Sequence, residues 1–127
     1  ALSNMSSNTQ HIIGKRGEDY VCQQLTLQGW EVLQRNYRSP FAELDIVAKD
    51  PHGDLAIVEV KTRSSFSWLN GYDCIGRKQL RRLAQACLFI GERNFCSHPA
   101  RLDLALVKSS CGQIDSMKLL QDLELSY

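Results

Sequence analysis

The feature that most constrains this chain is the turn Asp50-Pro51-His52-Gly53-Asp54, which separates two apolar segments. The segments, residues 42–49 and 55–63, are rich in Val, Ile and Leu, as β-strands are. Proline and glycine between such segments indicate a turn. If residues 50–54 close as a hairpin loop, Lys49 lies opposite Leu55, and every other cross-strand pair follows by counting. The sequence therefore predicts an antiparallel hairpin with a defined register.

Two helical patterns surround this hairpin. From Gln10 to Gln28 apolar residues recur at intervals of three and four, and Gly29 follows as a helix stop. Residues 76–94 repeat the pattern, with a basic first half. Three further segments have strand character: 30–38, 101–108 and 114–123, the last two joined by a turn at Cys111-Gly112. The order predicts an α/β fold in a single domain, with a mixed five-stranded sheet flanked by helices.

The overall composition is that of an ordinary globular protein. The chain has 127 residues, of which 43% are hydrophobic and 23% charged, with a net charge of +1. Its apolar runs are far shorter than the roughly 20 residues that a membrane-spanning helix needs, and its small, polar start does not resemble a signal peptide. We therefore predict a cytoplasmic protein with no membrane partner. Residues 1–9 are expected to be a flexible N-terminal tail, and residues 10–127 the domain.

The predicted hairpin brings four charged residues together. Counting back from the turn sets Asp45 opposite Glu59 and Glu43 opposite Lys61, and strand alternation places all four on one face. Carboxylates about 4 Å apart would repel by roughly 4 kcal/mol at an effective dielectric constant near 20. A divalent cation removes that repulsion, and carboxylate oxygens suit Mg²⁺ or Mn²⁺. The pattern thus predicts a metal site.

Lys61 extends this prediction towards catalysis. An ammonium group beside the metal can orient an attacking water and offset the charge that develops on a phosphate. The alternative is an exposed sheet face with a surface ion pair between Glu43 and Lys61, which contributes little energy. Spacing by itself leaves both interpretations open.

Six short motifs occur in order along the chain: Gly17-Glu18, Arg35-Asn36-Tyr37-Arg38, Glu43-Leu44-Asp45-Ile46-Val47, Val58-Glu59-Val60-Lys61-Thr62-Arg63, Arg77-Lys78-Gln79 and Arg101-Leu102-Asp103. Their combination resembles the bacterial YraN family over about residues 13–108. That family is grouped with the PD-(D/E)XK nuclease superfamily and is similar in layout to archaeal Holliday-junction resolvases. The resemblance implies a restriction-endonuclease-like nuclease domain.

The resemblance also implies roles for individual residues. Asp45 and Glu59 correspond to the metal ligands and Lys61 to the catalytic lysine. Glu18 corresponds to an accessory catalytic acid that reaches in from the first helix. Glu43 is a further accessory candidate. Arg101 and Asp103, which we expect to point outward from a strand as a structural pair, are not assigned to the site, and neither is Gln79.

Basic and aromatic side chains are candidates for contacts with nucleic acid. The basic set comprises Lys15, Arg38, Arg63, Arg77, Lys78, Arg81 and Arg82. Each can bind a phosphate without reading base sequence, although a solvated helix face is an equal interpretation for the four in the second helix. Phe66 and Trp68, in the loop 64–72, can stack on unpaired bases or pack into the core.

Two functions follow from this set of residues. The first is a metal-dependent endonuclease that hydrolyses nucleic-acid phosphodiester bonds, with DNA as the expected substrate. The alternative is a catalytically idle nucleic-acid-binding module with the same fold. Because junction resolvases of similar layout act as dimers, the resemblance also suggests a homodimer.

Overall fold

A computed structural model describes residues 7–64 and 75–125. The elements are α1 (Ser7–Leu27), β1 (Glu31–Arg38), β2 (Glu43–Lys49), β3 (Leu55–Arg63), α2 (Arg77–Arg93), β4 (Arg101–Ser110) and β5 (Gln113–Leu120). The strands form a single sheet in the order β1-β2-β3-β4-β5. Strands β3 and β4 run parallel, and the other neighbours are antiparallel. The predicted α/β fold with a mixed five-stranded sheet is confirmed, and it is consistent with a restriction-endonuclease-like fold.

The ends of α1 follow from local chemistry. The helix begins at Ser7 rather than Gln10, so residues 7–9 of the predicted tail are helical, while residues 1–6 lie outside the described part. At the other end Gly29 has a φ of +93°, a conformation that glycine adopts without strain. The Trp30 N–H donates to the Leu25 carbonyl at 2.9 Å, which closes the helix at the predicted stop.

The central strands β2, β3 and β4 are buried on both faces of the sheet, whereas the edge strands β1 and β5 are exposed or half-buried. On one face Leu83 and Cys87 of α2 form a cluster with sheet residues that include Leu55, Ile57, Leu102 and Leu104. On the other face Val21 and Leu25 of α1 form a cluster with sheet residues that include Ile46, Val58 and Ala105. Each fully buried aliphatic side chain stabilises the fold by about 1.5–3 kcal/mol, so the two layers hold both helices against the sheet. Neither helix of the described chain is long and apolar enough to span a membrane.

The β2–β3 hairpin has the predicted register. Lys49 pairs with Leu55, and the ladder continues to the pair Ile46 and Val58. The turn is held by Asp50, whose Oδ1 accepts hydrogen bonds from the backbone N–H groups of His52 at 2.8 Å and Asp54 at 2.9 Å. The hairpin is therefore set by its own turn residues, as the sequence predicts.

Strict alternation fails near the start of β2. Leu44 belongs to the cluster under α2, whereas Ile46 belongs to the cluster under α1, although the two residues are an even number apart. The prediction that Glu43, Asp45, Glu59 and Lys61 share one face assumes regular alternation, and β2 is irregular at this point. Alternation therefore does not show where the side chains of Glu43 and Asp45 lie, and their contacts have to be described one by one.

Strand β4 begins with a buried ion-pair network. Asp103 is 0% exposed, and its two carboxylate oxygens accept hydrogen bonds from Arg101 Nε and Nη2, both at 2.9 Å. Arg101 Nη1 donates to Asp50 Oδ2 at 2.8 Å, and the Asp122 N–H donates to Asp103 at 2.8 Å. The prediction of a structural pair is confirmed, but the prediction that Asp103 points outward is wrong. The network ties the β2–β3 turn to β4.

Candidate metal site

Asp45 and Glu59 follow directly after the last backbone pair of the β2–β3 ladder. Asp45 Oδ2 accepts a hydrogen bond from the Val60 N–H at 2.9 Å, and Glu59 Oε1 accepts one from the Asp45 N–H at 3.3 Å. Each side chain thus bonds the backbone of the opposite strand beyond the point where the regular ladder ends. These bonds hold the two carboxyl groups together.

The electrostatics of this pair are unfavourable without a cation. Glu59 is only 3% exposed, and burial, followed by the negative charge of Asp45, raises its pKa to about 8. Burial also raises the pKa of Asp45, against the lowering effects of the Val60 hydrogen bond and the Lys61 charge. Ionising both groups therefore costs free energy that a bound cation would offset.

The donor atoms fit a small hard cation. Among residues 7–64 and 75–125, no group of three His, Cys, Asp or Glu side chains is placed to hold a metal ion. Asp45 and Glu59 therefore offer two carboxylates rather than a complete cage. Mg²⁺ is commonly bound in this way, through one or two carboxylates, with waters and substrate phosphates completing its coordination.

Two more acids, Glu18 and Glu43, interact electrostatically with Asp45. Burial, followed by the charge of Asp45, raises the pKa of Glu18 in α1 to about 7. The charge of Glu43 also contributes to the raised pKa of both Glu18 and Asp45, and Glu43 pairs with Arg38 across β1 and β2. The charges of Glu18, Glu43 and Asp45 therefore influence one another, while Glu59 interacts with Asp45.

Lys61 supplies positive charge at this group. It is half-buried, and its charge acts to lower the pKa of both Asp45 and Glu59. Its Nζ donates to Gln79 Oε1 in α2 at 3.4 Å, and no ion pair with Glu43 is found among the described residues. Gln79 was not among the predicted site residues. Its place in the Arg77-Lys78-Gln79 motif was the available signal.

The predicted basic residues are exposed: Lys15, Arg38, Arg63, Arg77, Lys78, Arg81 and Arg82. Because Gln79 contacts Lys61, the first turn of α2, which includes Arg77 and Lys78, lies near Lys61. Arg63 ends β3 just beyond Lys61. Lys15 lies one helical turn before Glu18 in α1. Phe66 and Trp68 lie outside the described residues.

Comparison with known sequences places the chain in a family. The model of the uncharacterised protein family UPF0102 matches residues 17–107. This chain belongs to the UPF0102 family. The predicted resemblance to the YraN family, which is the same family, is therefore confirmed.

Bacterial UPF0102 proteins match most of the chain. The UPF0102 protein tll1737 of Thermosynechococcus vestitus is 41% identical over 79% of this chain and 83% of its own length. A UPF0102 protein of Synechococcus sp. strain JA-3-3Ab is 36% identical over 90% of this chain and 88% of its own length. The UPF0102 family match begins at Gly17, so it includes Glu18 and the three residues Asp45, Glu59 and Lys61, and it ends before β5.

Proposed function

We propose that this protein is a metal-dependent endonuclease that hydrolyses nucleic-acid phosphodiester bonds, with DNA as the expected substrate. The observation that carries the proposal is the Asp45–Glu59 pair, held by bonds to opposite strands, with the Lys61 charge beside it. A site that only stores a cation leaves the positive charge of Lys61 without a role. Next to a metal and a phosphate, it has a catalytic use.

Asp45 and Glu59 are the proposed metal ligands. Both are positioned by backbone hydrogen bonds through one oxygen each, Asp45 Oδ2 and Glu59 Oε1. A bound Mg²⁺ or Mn²⁺ would supply positive charge against the phosphate group that is being cleaved. Since the site provides two carboxylates, it leaves room for water and a phosphate oxygen around the ion.

Lys61 and Glu18 have different proposed roles. The protonated Lys61 cannot ligate a cation, so it orients the attacking water and offsets the charge that builds up in the transition state. Its hydrogen bond to Gln79 limits the positions of the ammonium group. Glu18 is the accessory acid, and its pKa of about 7 suits exchange of a proton near neutral pH.

The exposed basic residues of α2 are the proposed contact with the nucleic-acid backbone. Arg77, Lys78, Arg81 and Arg82 lie in the first half of the helix, the half that contacts Lys61 through Gln79. Such contacts bind phosphates of any sequence, so they would position the substrate without selecting bases. This arrangement supports a nucleic-acid substrate over a small phosphate ester.

The test is a cleavage assay with Mn²⁺ over branched, single-stranded and duplex DNAs, with RNAs as comparison substrates. We expect at least one DNA to be cut by the wild-type protein, and the activity to require Mn²⁺. Asp45→Asn should lose it, while Asp115→Asn, an exposed change in β5, should keep it. Binding of these nucleic acids without cleavage by wild type would favour the idle binding module instead.

Metal binding should depend on pH in a defined direction. Metal ligands must be deprotonated, and the pKa of Glu59 is raised to about 8, so protons compete with the ion below that pH. We expect Mn²⁺ affinity, measured by calorimetry, to increase from pH 6 to pH 9. Asp45→Asn should abolish the binding at every pH. Unchanged binding in Asp45→Asn would show that the ion is held elsewhere.

A further inference from the structure

Helix α1 touches strand β3 at one buried glycine. A Cβ atom built on Gly17 would overlap the hydroxyl oxygen of Thr62, so the helix backbone can lie this close only because residue 17 has no side chain. Gly14, in the same helix, meets nothing within 4 Å among the described residues. The close approach is therefore specific to Gly17 and is not a general property of the glycines in α1.

Both partners in this contact are locally unfavourable. Glycine inside a helix is less stable than alanine. Thr62 is 7% exposed, and its hydroxyl oxygen has no hydrogen-bond partner in the described part of the chain, which is also unfavourable for a buried polar atom. Two unfavourable choices at one contact indicate that the short distance between helix and strand has a function.

The neighbours in sequence indicate what that function is. Glu18 follows Gly17 directly in α1, and Lys61 precedes Thr62 directly in β3. Asp45, whose charge acts on Glu18, is bonded to the β3 backbone at Val60. A change in the distance between α1 and β3 therefore moves Glu18 relative to the residues of the candidate metal site.

We propose that Gly17 and Thr62 form a positioning contact, which sets the distance between α1 and β3 and thereby sets the position of Glu18 relative to β3. Neither residue is assigned a role in the chemistry itself. The effect on metal binding rests on the proposed function, whereas the contact and the placement of Glu18 do not.

The contact is tested by adding a methyl group at residue 17 and by removing the hydroxyl group at residue 62. Gly17→Ala should lower the unfolding temperature by about 5 °C or more relative to wild type, because the new methyl group overlaps Thr62. Gly14→Ala should not lower it. Thr62→Ala removes the overlapping oxygen and leaves Thr62 Cβ at 3.5 Å, an ordinary contact. The double variant with Gly17→Ala and Thr62→Ala should therefore have an unfolding temperature no lower than that of Thr62→Ala.

The placement of Glu18 has a readout that needs no metal. In wild type, Glu18→Gln removes a carboxylate whose charge is opposed first by burial and then by the charge of Asp45, so it should raise the unfolding temperature at pH 8. If Gly17→Ala moves Glu18 away from Asp45, adding Glu18→Gln to Gly17→Ala should raise the unfolding temperature less than Glu18→Gln does in wild type. The effect of Glu18→Gln is also measured in the double variant with Gly17→Ala and Thr62→Ala. There the increase in unfolding temperature should equal the increase in wild type. That double variant also serves if Gly17→Ala does not fold by itself.

Mn²⁺ titration then separates this proposal from the proposed function. Gly17→Ala should weaken Mn²⁺ binding about tenfold, as changes around metal ligands commonly do, and Gly14→Ala should not. If wild type binds no Mn²⁺, the proposed function fails, and the unfolding series decides the positioning contact by itself. Failure of Thr62→Ala to rescue Gly17→Ala, or an equal gain from Glu18→Gln in both backgrounds, would overturn the positioning contact.

Discussion

Replacing Lys61 by alanine should reduce the rate of nucleic-acid cleavage on the order of a hundredfold, which corresponds to a loss of about 3 kcal/mol of transition-state stabilisation. Lys61 is half-buried beside two carboxyl groups and held by Gln79, so its charge is oriented before the reaction begins. Binding of Mn²⁺ and of nucleic acid should be largely retained. A single-turnover assay at saturating protein measures the chemical step separately from binding.

The matched control is Lys49→Ala. Lys49 is an exposed lysine at the opposite end of β2, next to the hairpin turn, so its removal changes net charge equally and leaves the candidate site intact. We expect Lys49→Ala to cleave at the wild-type rate. Equal rates for wild type and Lys61→Ala would remove the proposed mechanism and favour the idle binding module.

Replacing Asp103 by alanine should reduce the free energy of unfolding by about 3–5 kcal/mol. Asp103 is fully buried and accepts hydrogen bonds from Arg101 and from the Asp122 backbone. Without it the Arg101 guanidinium, whose side chain is 19% exposed, keeps Asp50 as its one acidic partner among residues 7–64 and 75–125. The unfolding temperature should fall by roughly 10–20 °C for a chain of this size. Thermal unfolding measured by circular dichroism tests this.

Asp19→Ala is the control for burial. Asp19 also pairs with an arginine, Arg35, at 2.6 Å, but the two side chains are 52% and 36% exposed. An exposed pair contributes about 0–1 kcal/mol, so Asp19→Ala should unfold close to wild type. If the two variants are destabilised equally, burial is not the source of the Asp103 effect.

Much of the fold could be predicted from short stretches of sequence. The turn residues between Lys49 and Leu55 set the β2–β3 register, because a hairpin closes through neighbours in the chain. Gly29 ends α1 for the same local reason. The proximity of Asp45 and Glu59 followed from that register by counting. The roles assigned to Asp45, Glu59 and Lys61 rest on their spacing and on the family resemblance, and the role of Glu18 rests on the resemblance.

Other features depended on contacts between segments that are distant in the chain. Asp103 alternates in β4 as a surface residue would, yet Arg101 and the Asp122 backbone pair with it inside the fold. Gln79 meets Lys61 only because α2 folds back over β3. A local pattern reports which face of an element is apolar, but it does not report which element packs against that face, or how closely.

The sequence by itself therefore determined the order of the elements, the hairpin register and the resemblance to a family, since each depends on residues close together in the chain or on a series of motifs. Only the tertiary structure decided that the Asp45 and Glu59 carboxyls bond the opposite strand's backbone, and that α1 approaches β3 at Gly17. Those outcomes depend on distances between whole elements, which are set when both faces of the sheet are packed at once.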